Sequence, residues 1–164
     1  MHDSKNSSQN PAFWKNVWDP LALPKVNFFF WIVAHNKVLT GDNLEKRNIA
    51  GPQRCVLCSS NSETAQHLFL ECKFAKEVWS IILHNFQITL PSQTSVADLY
   101  ATWNIIYPQC IPSKSIWKKI WTTIPKYVCW QLWLARNQQI FREMRHTPLQ
   151  VAVKAKSFLL EAVQ

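Results

Sequence analysis

The run Arg54-Cys55-Val56-Leu57-Cys58-Ser59-Ser60-Asn61-Ser62-Glu63-Thr64-Ala65-Gln66-His67-Leu68-Phe69-Leu70-Glu71-Cys72-Lys73 decides how this chain is read. Cys55 and Cys58 are separated by two residues, the spacing that lets two thiolates of a tight knuckle point at one ion. Eight residues lie between Cys58 and His67, and four between His67 and Cys72. Together the four side chains make a Cys3His set, which suits one tetrahedral Zn2+ and leaves no coordination position for a reacting water. Such a site is structural. Three thiolates on a dication leave about one net negative charge by simple count, so Arg54 and Lys73 are expected to donate beside the ligands. On spacing alone, two unrelated pairs of core cysteines with His67 on the surface would also account for the run.

Outward from this segment the signals are helical. Downstream, Ala75, Val78, Trp79, Ile82 and Phe86 repeat at three-to-four spacing, predicting an amphipathic helix. Upstream, Pro11 opens a helix to Trp18 and Pro24 opens one to about Asn36. Thr40 reads as the N-cap of a short helix holding Leu44 to Arg47. Ser95 with Asp98 predicts a capped helix to Ile106. A long helix is expected over residues 113–144, with Trp117, Ile120, Trp121, Ile124, Val128 and Leu132 as its apolar stripe and Pro125 kinking or dividing it. Thr147 and Pro148 open a last helix. The expected fold is therefore all-α: a small helical domain with an embedded Cys3His zinc loop. Residues 1–10 read as a disordered N-terminus, 11–90 as the zinc-binding unit, 91–112 as linker and short helix, and 113–164 as a basic helical segment.

Composition narrows the function classes. The chain has 164 residues, 48% of them apolar and 17% charged, enough to bury a core. Two glycines are too few for a phosphate-cradling loop. Nine tryptophans read first as core, with stacking on unpaired bases as the sharper reading. No run reaches the length of a membrane span, and the polar start lacks a signal peptide's apolar region, so the expected location is intracellular, nuclear or cytoplasmic. The formal charge of +8 is uneven: residues 1–112 hold nine basic and eight acidic residues, whereas 113–164 hold nine basic against Glu143 and Glu161. That asymmetry points to an anionic partner, nucleic acid before membrane, or else to a solvated helix face.

The residues flanking the cysteines carry a resemblance. Pro24-Lys25-Val26, Phe30-Trp31, Leu39-Thr40, Leu44 and Arg47 precede Cys55-Val56-Leu57-Cys58. Glu63-Thr64, His67-Leu68-Phe69, Cys72, Ala75 and Val78-Trp79 follow, with Trp14 and Trp18 as lead-in. In one register this resembles the zinc-binding domain of plant LINE-type (non-LTR) retrotransposon reverse transcriptases. Trp133-Leu134-Ala135-Arg136-Asn137 with Ile140-Phe141 is similar to the helix that leads toward an RNase H domain in such polyproteins. The resemblance implies an accessory module placed after the polymerase, with Cys55, Cys58, His67 and Cys72 as ligands and a part in nucleic-acid handling. It does not imply catalysis: the polymerase's Tyr-x-Asp-Asp motif is missing, and the ten acidic residues offer no RNase H carboxylate cluster.

Two readings of function follow. In the first, the module binds RNA or single-stranded DNA through Arg47, Arg54 and Lys73 around the metal and through Lys114, Lys118, Lys119, Lys126, Arg136, Arg142 and Arg145 in the basic segment. In the second, the zinc only fastens the loop, and exposed aromatics dock on a neighbouring reverse transcriptase or RNase H domain. Trp31 and Trp79 are expected to be buried against each other's helices, and Cys110 and Cys129 to be thiols outside the metal shell.

Overall fold

Prolines and short polar side chains start most of the helices, as the sequence predicts. The structure is a computed structural model that describes residues 11–90, 92–108 and 115–161; the terminus read as disordered, Lys114 and Cys110 lie outside those residues. Helices α1 (Pro11–Val17) and α2 (Pro24–Ala34) begin at proline, where a missing N–H leaves no bond unmade. Thr40 precedes α3 (Gly41–Glu45), but its hydroxyl donates to the Asp42 carboxylate at 2.6 Å and caps no backbone amide. A turn over His67–Glu71 leads into α4 (Lys73–Leu83). Ser95 caps α5 (Val96–Ile105), its Oγ accepting the Asp98 N–H at 3.1 Å. The long α6 (Ser115–Arg142) is followed by α7 (Pro148–Glu161), whose start is a reciprocal box. There Thr147 Oγ1 accepts from the Gln150 N–H at 3.2 Å while Gln150 Oε1 accepts from the Thr147 N–H at 2.9 Å. Among the described residues no strand forms; one isolated bridge joins Arg54 and Ser62. The chain is all-α.

A main core joins the helices, with a smaller cluster of Ala22, Val26 and Tyr127 beside it. α6 packs along α7 and α2, and α4 lies against α7. Trp121, Ile124, Val128, Leu132 and Ala135 of α6 are buried together with Ala75, Val78, Trp79 and Ile82 of α4 and Val151, Ala152 and Ala155 of α7. Trp117, assigned by the sequence to the same stripe, is exposed one turn earlier.

Pro125 does not divide α6, which is continuous through it. A proline at 125 withholds the N–H that the carbonyl of Trp121 would accept. The indole of Trp103, in the last turn of α5, replaces it: Trp103 Nε1 donates to Trp121 O at 2.9 Å. The exchange is reciprocal. Trp121 Nε1 donates to Trp103 O at 3.1 Å, satisfying a carbonyl at the end of α5. The two rings stack with centroids 4.5 Å apart and planes 17° apart.

The expected Trp31–Trp79 pairing is replaced by two separate arrangements. Trp79 is buried, donates from Nε1 to Phe69 O at 2.8 Å and packs on Trp103. Trp31, on α2, is only half-buried and lies between Phe28 and the C-cap residue His35. Trp79 therefore serves the core, whereas Trp31 borders solvent.

Candidate metal centre

The first two ligands stand on a knuckle closed by its own backbone. Cys55 N–H donates to Asn61 O at 2.8 Å, Ser59 N–H donates to Cys55 O at 2.7 Å, and Ser59 takes a left-handed φ of 59° to reverse the chain. Cys55 ends fully buried and Cys58 half-buried. The knuckle rests on α3 at a point with no spare room: a Cβ on Gly41 would lie 2.0 Å from the carbonyl oxygen of Pro52.

The other two ligands flank a turn of unusual width. Thr64 Oγ1 accepts the His67 N–H at 3.0 Å, and the backbone then widens to a π turn over His67–Glu71, with the Cys72 N–H donating to His67 O at 2.7 Å. In an α-helix, residues five apart diverge by about 140° around the axis. The five-residue hydrogen bond of the π turn brings His67 and Cys72 toward one side, and π turns of this kind mark functional sites. Cys72 leaves the helical region (ψ 131°) and immediately precedes α4.

The four ligand atoms lie within 4.8 Å of one another. Cys55 Sγ and Cys72 Sγ are 3.8 Å apart, and Cys58 Sγ is 3.2 Å from His67 Nε2. A tetrahedral ion with bonds of about 2.3 Å to sulfur has an S–S edge of about 3.8 Å, so the thiol pair fits zinc. With protons in place of a metal, hydrogen bonding from Cys55 holds Cys72 below the usual thiol range, and that same bond together with burial pushes Cys55 up. Two sulfurs so close cannot both ionise without a cation between them. His67 Nδ1 is buried with no hydrogen-bond partner among the described residues.

Behind the knuckle lies a feature that the sequence reading missed. Glu63 is buried and forms a two-pronged ion pair with Arg136 of α6. Arg136 Nη2 to Glu63 Oε1 is 2.6 Å and Nε to Oε2 is 3.1 Å. Glu63 Oε1 also accepts the Gly41 N–H at 3.1 Å, and the Arg136 guanidinium lies 4.7 Å from the Trp133 ring centre. Gln139, one turn on, donates to Val56 O inside the knuckle at 2.6 Å. α6 thus grips the metal loop from outside the matched cysteines.

Two residues proposed as phosphate contacts are corrected by this geometry. Arg136 is 3% exposed, and both faces of its fork are spent inside the fold. Lys126 is 0% exposed. Its Nζ donates to Val17 O at 2.8 Å, Asn27 Oδ1 at 3.1 Å and Asn16 O at 3.2 Å, and desolvation pulls its pKa down to about 8. It satisfies the last carbonyls of α1. Both burials have a sequence signal: residues 120–135 carry one charge, Lys126, in a helix apolar nearly all round, and Arg136 lies four residues after Leu132. Arg47, Arg54, Lys73, Lys118, Lys119, Arg142 and Arg145 are exposed. Cys129 is fully buried, away from the four ligands, and burial pushes its thiol up.

The geometry agrees with what is found among known proteins. Residues 2–79 match the sequence profile of a family described as zinc-binding in reverse transcriptase. A candidate ribonuclease H protein of Arabidopsis thaliana is 22% identical over 134 residues, an alignment that covers 80% of this chain and 20% of that protein. The chain thus spans about a fifth of that relative's length. No solved structure matches. Over residues 2–79, just under half of its length, this chain is similar to the zinc-binding domain of reverse transcriptases.

Proposed function

We propose that the chain is a non-catalytic module, held by one zinc, that binds RNA or single-stranded DNA mainly through phosphates. The observation that carries this reading is the closed four-ligand shell with exposed cations directly beside it: Arg54 precedes Cys55 and Lys73 follows Cys72. Arg47, Lys118 and Lys119 near the start of α6, and Arg142 and Arg145 at and just beyond its end are also exposed, and we assign them to the same basic surface. Lys114 is assigned to it on charge alone. No helix among the described residues is long and apolar enough to cross a membrane, and we place the module in the nucleus or cytoplasm. Given the family and the relative's ribonuclease H name, it works beside a reverse transcriptase or RNase H domain of plant non-LTR type.

The test is a gel-shift series on single-stranded RNA and DNA across salt, with and without chelator. Log affinity should fall linearly with log salt, by about 0.7 per neutralised phosphate. Charge reversal at Lys118 and Lys119 should weaken binding to all sequences alike and make the slope shallower. Absence of binding at low salt would remove the reading. A scaffolding role would then take its place, favoured by Leu149, Val153 and Leu160, exposed on α7 at spacings that place them along one face.

A further inference from the structure

On α2 and its C-cap the rings Phe28, Trp31 and His35 recur at three- and four-residue spacing and form a continuous ladder. Phe28 and Trp31 are nearly parallel, 15° apart with centroids at 6.2 Å; Trp31 meets His35 at 4.4 Å. His35 stacks on Trp14 of α1 at 4.0 Å and 20°. The inner end is anchored in the core, since Trp14 meets Phe13, which packs on Tyr100. The outer end is open: Phe28 is 53% exposed, while Trp31, His35 and Trp14 are each half-buried.

Phe28 packs one face on Trp31 and leaves more than half of its surface exposed, and the charged residue nearest to it in sequence is basic. Lys25 is exposed one turn before Phe28, Lys15 follows Trp14, and Lys37 follows His35 by two residues; all three are exposed. The single acid between residues 11 and 40, Asp19, is turned onto the Leu21 N–H at 2.8 Å. Near-parallel aromatic faces edged by cations are what an unpaired base and its phosphate require, because every base offers a π face once it is out of a duplex. A paired base keeps its faces covered by its neighbours and has little to gain there.

We propose that Phe28 and Trp31 form a stacking platform for an unpaired base of a single-stranded nucleic acid, with Lys15, Lys25 and Lys37 taking the adjoining phosphates. The inference rests on the nucleic-acid reading above and adds to it a second face, distant in sequence from the basic segment, and a preference for single strands. It also assigns a role to aromatic residues that the core leaves at the surface.

The experiment titrates fluorescein-labelled oligothymidylate, oligouridylate and a DNA duplex with the zinc-loaded chain and with Phe28→Ala, Phe28→Leu and Phe28→Trp, zinc content and helicity serving as folding controls. Loss of one base–aromatic stack should weaken single-strand binding of Phe28→Ala by about fivefold to a hundredfold. The salt slope should stay unchanged, because no phosphate contact is removed. Phe28→Trp should bind at least as tightly as the parent. Phe28→Leu, which keeps the apolar surface but not the π face, should behave like Phe28→Ala and keeps the test sound if the alanine variant folds poorly. Single-strand binding unaffected by these changes, equal losses on duplex and single strand, or full affinity in Phe28→Leu would overturn the platform. Any of those results leaves the nucleic-acid reading standing if the parent binds; a parent that binds nothing at low salt removes both.

Discussion

The metal knuckle and the tryptophan junction between α5 and α6 meet the same difficulty by different means. Each has polar groups that folding takes out of water without a helical or sheet partner. At the knuckle these are three thiols and an imidazole, gathered within 4.8 Å and held by groups that only a cation can reconcile. At the junction they are the Trp121 carbonyl, deprived of its N–H by Pro125, and the Trp103 carbonyl at a helix end; each is satisfied by the other residue's indole. The knuckle's solution depends on an external ion, whereas the junction's is built wholly from the chain. The difference should appear when each is broken: the first region fails as a unit, the second by increments.

The largest effect should follow removal of the ion. Structural zinc in such ligand sets contributes an apparent 10–16 kcal/mol, roughly, more than a domain's usual net stability. Chelation or Cys72→Ser should therefore release about one zinc per chain, measured by metal analysis, and abolish the ordered 51–72 segment. Cys129→Ser should leave metal content untouched, since that thiol lies outside the ligand cluster. Retention of zinc by Cys72→Ser would break the comparison at its root.

The next effect tests whether the knuckle is also held from α6. Arg136→Met leaves Glu63 charged and buried, so the loss should be about 3–5 kcal/mol by urea unfolding. Replacing both Glu63 and Arg136 by apolar residues of similar volume should recover much of it, because the pair's own net contribution is small once desolvation is counted. If Arg136→Met costs no more than a surface substitution, α6 does not support the metal loop.

A smaller effect belongs to the junction. Trp103→Phe keeps a stacking ring but deletes the donor to Trp121 O, exposing one buried carbonyl to a loss of about 1–3 kcal/mol. Pro125→Ala returns an N–H to the same carbonyl. In that background Trp103→Phe should cost clearly less, and the double-mutant cycle reads the difference as a coupling between residues 22 apart in sequence. Additive losses would mean that the indole and the proline are unrelated.

How legible each region was follows from the same contrast. The cluster was legible because coordination chemistry restricts residue type and spacing together, so Cys55, Cys58, His67 and Cys72 could be grouped without a structure. Helix starts at Pro11, Pro24, Ser95 and Thr147 were legible because capping and proline effects are local. Hydrogen bonds such as Trp103 to Trp121, or Arg136 to Glu63 across 73 positions, leave no local pattern. Counting charge alone placed Lys126 and Arg136 on the surface; counting charge against the apolar surroundings of α6 would have placed them inside. The π turn was not legible, because nothing in His67-Leu68-Phe69-Leu70-Glu71 distinguishes it from an ordinary helical turn.

Lys126 yields the most gradual effect, the smallest when read over a single pH unit. Its ammonium is drawn from water into contact with the end of α1, and desolvation, only partly offset by the charge of Asp19, lowers its pKa from 10.5 to about 8. Below about pH 8 the lysine is charged in both folded and unfolded chains, and its burial is a constant cost to stability. Between about 8 and 10.5 the unfolded chain holds more protons than the folded one, so unfolding free energy should rise with pH in that window. The slope reaches at most about 1.4 kcal/mol per pH unit. Tyr100, whose ring lies 5.8 Å from the ammonium, stays neutral throughout because burial pushes its hydroxyl above its usual range. Cysteines released on unfolding also titrate in this window, so the quantity to measure is the difference between the parent and Lys126→Met. Urea midpoints of the two should diverge in slope from pH 8 upward, the parent gaining stability relative to the variant. Parallel curves would show that the lysine keeps its ordinary proton affinity, and that three carbonyl contacts at 2.8–3.2 Å compensate its loss of water in full.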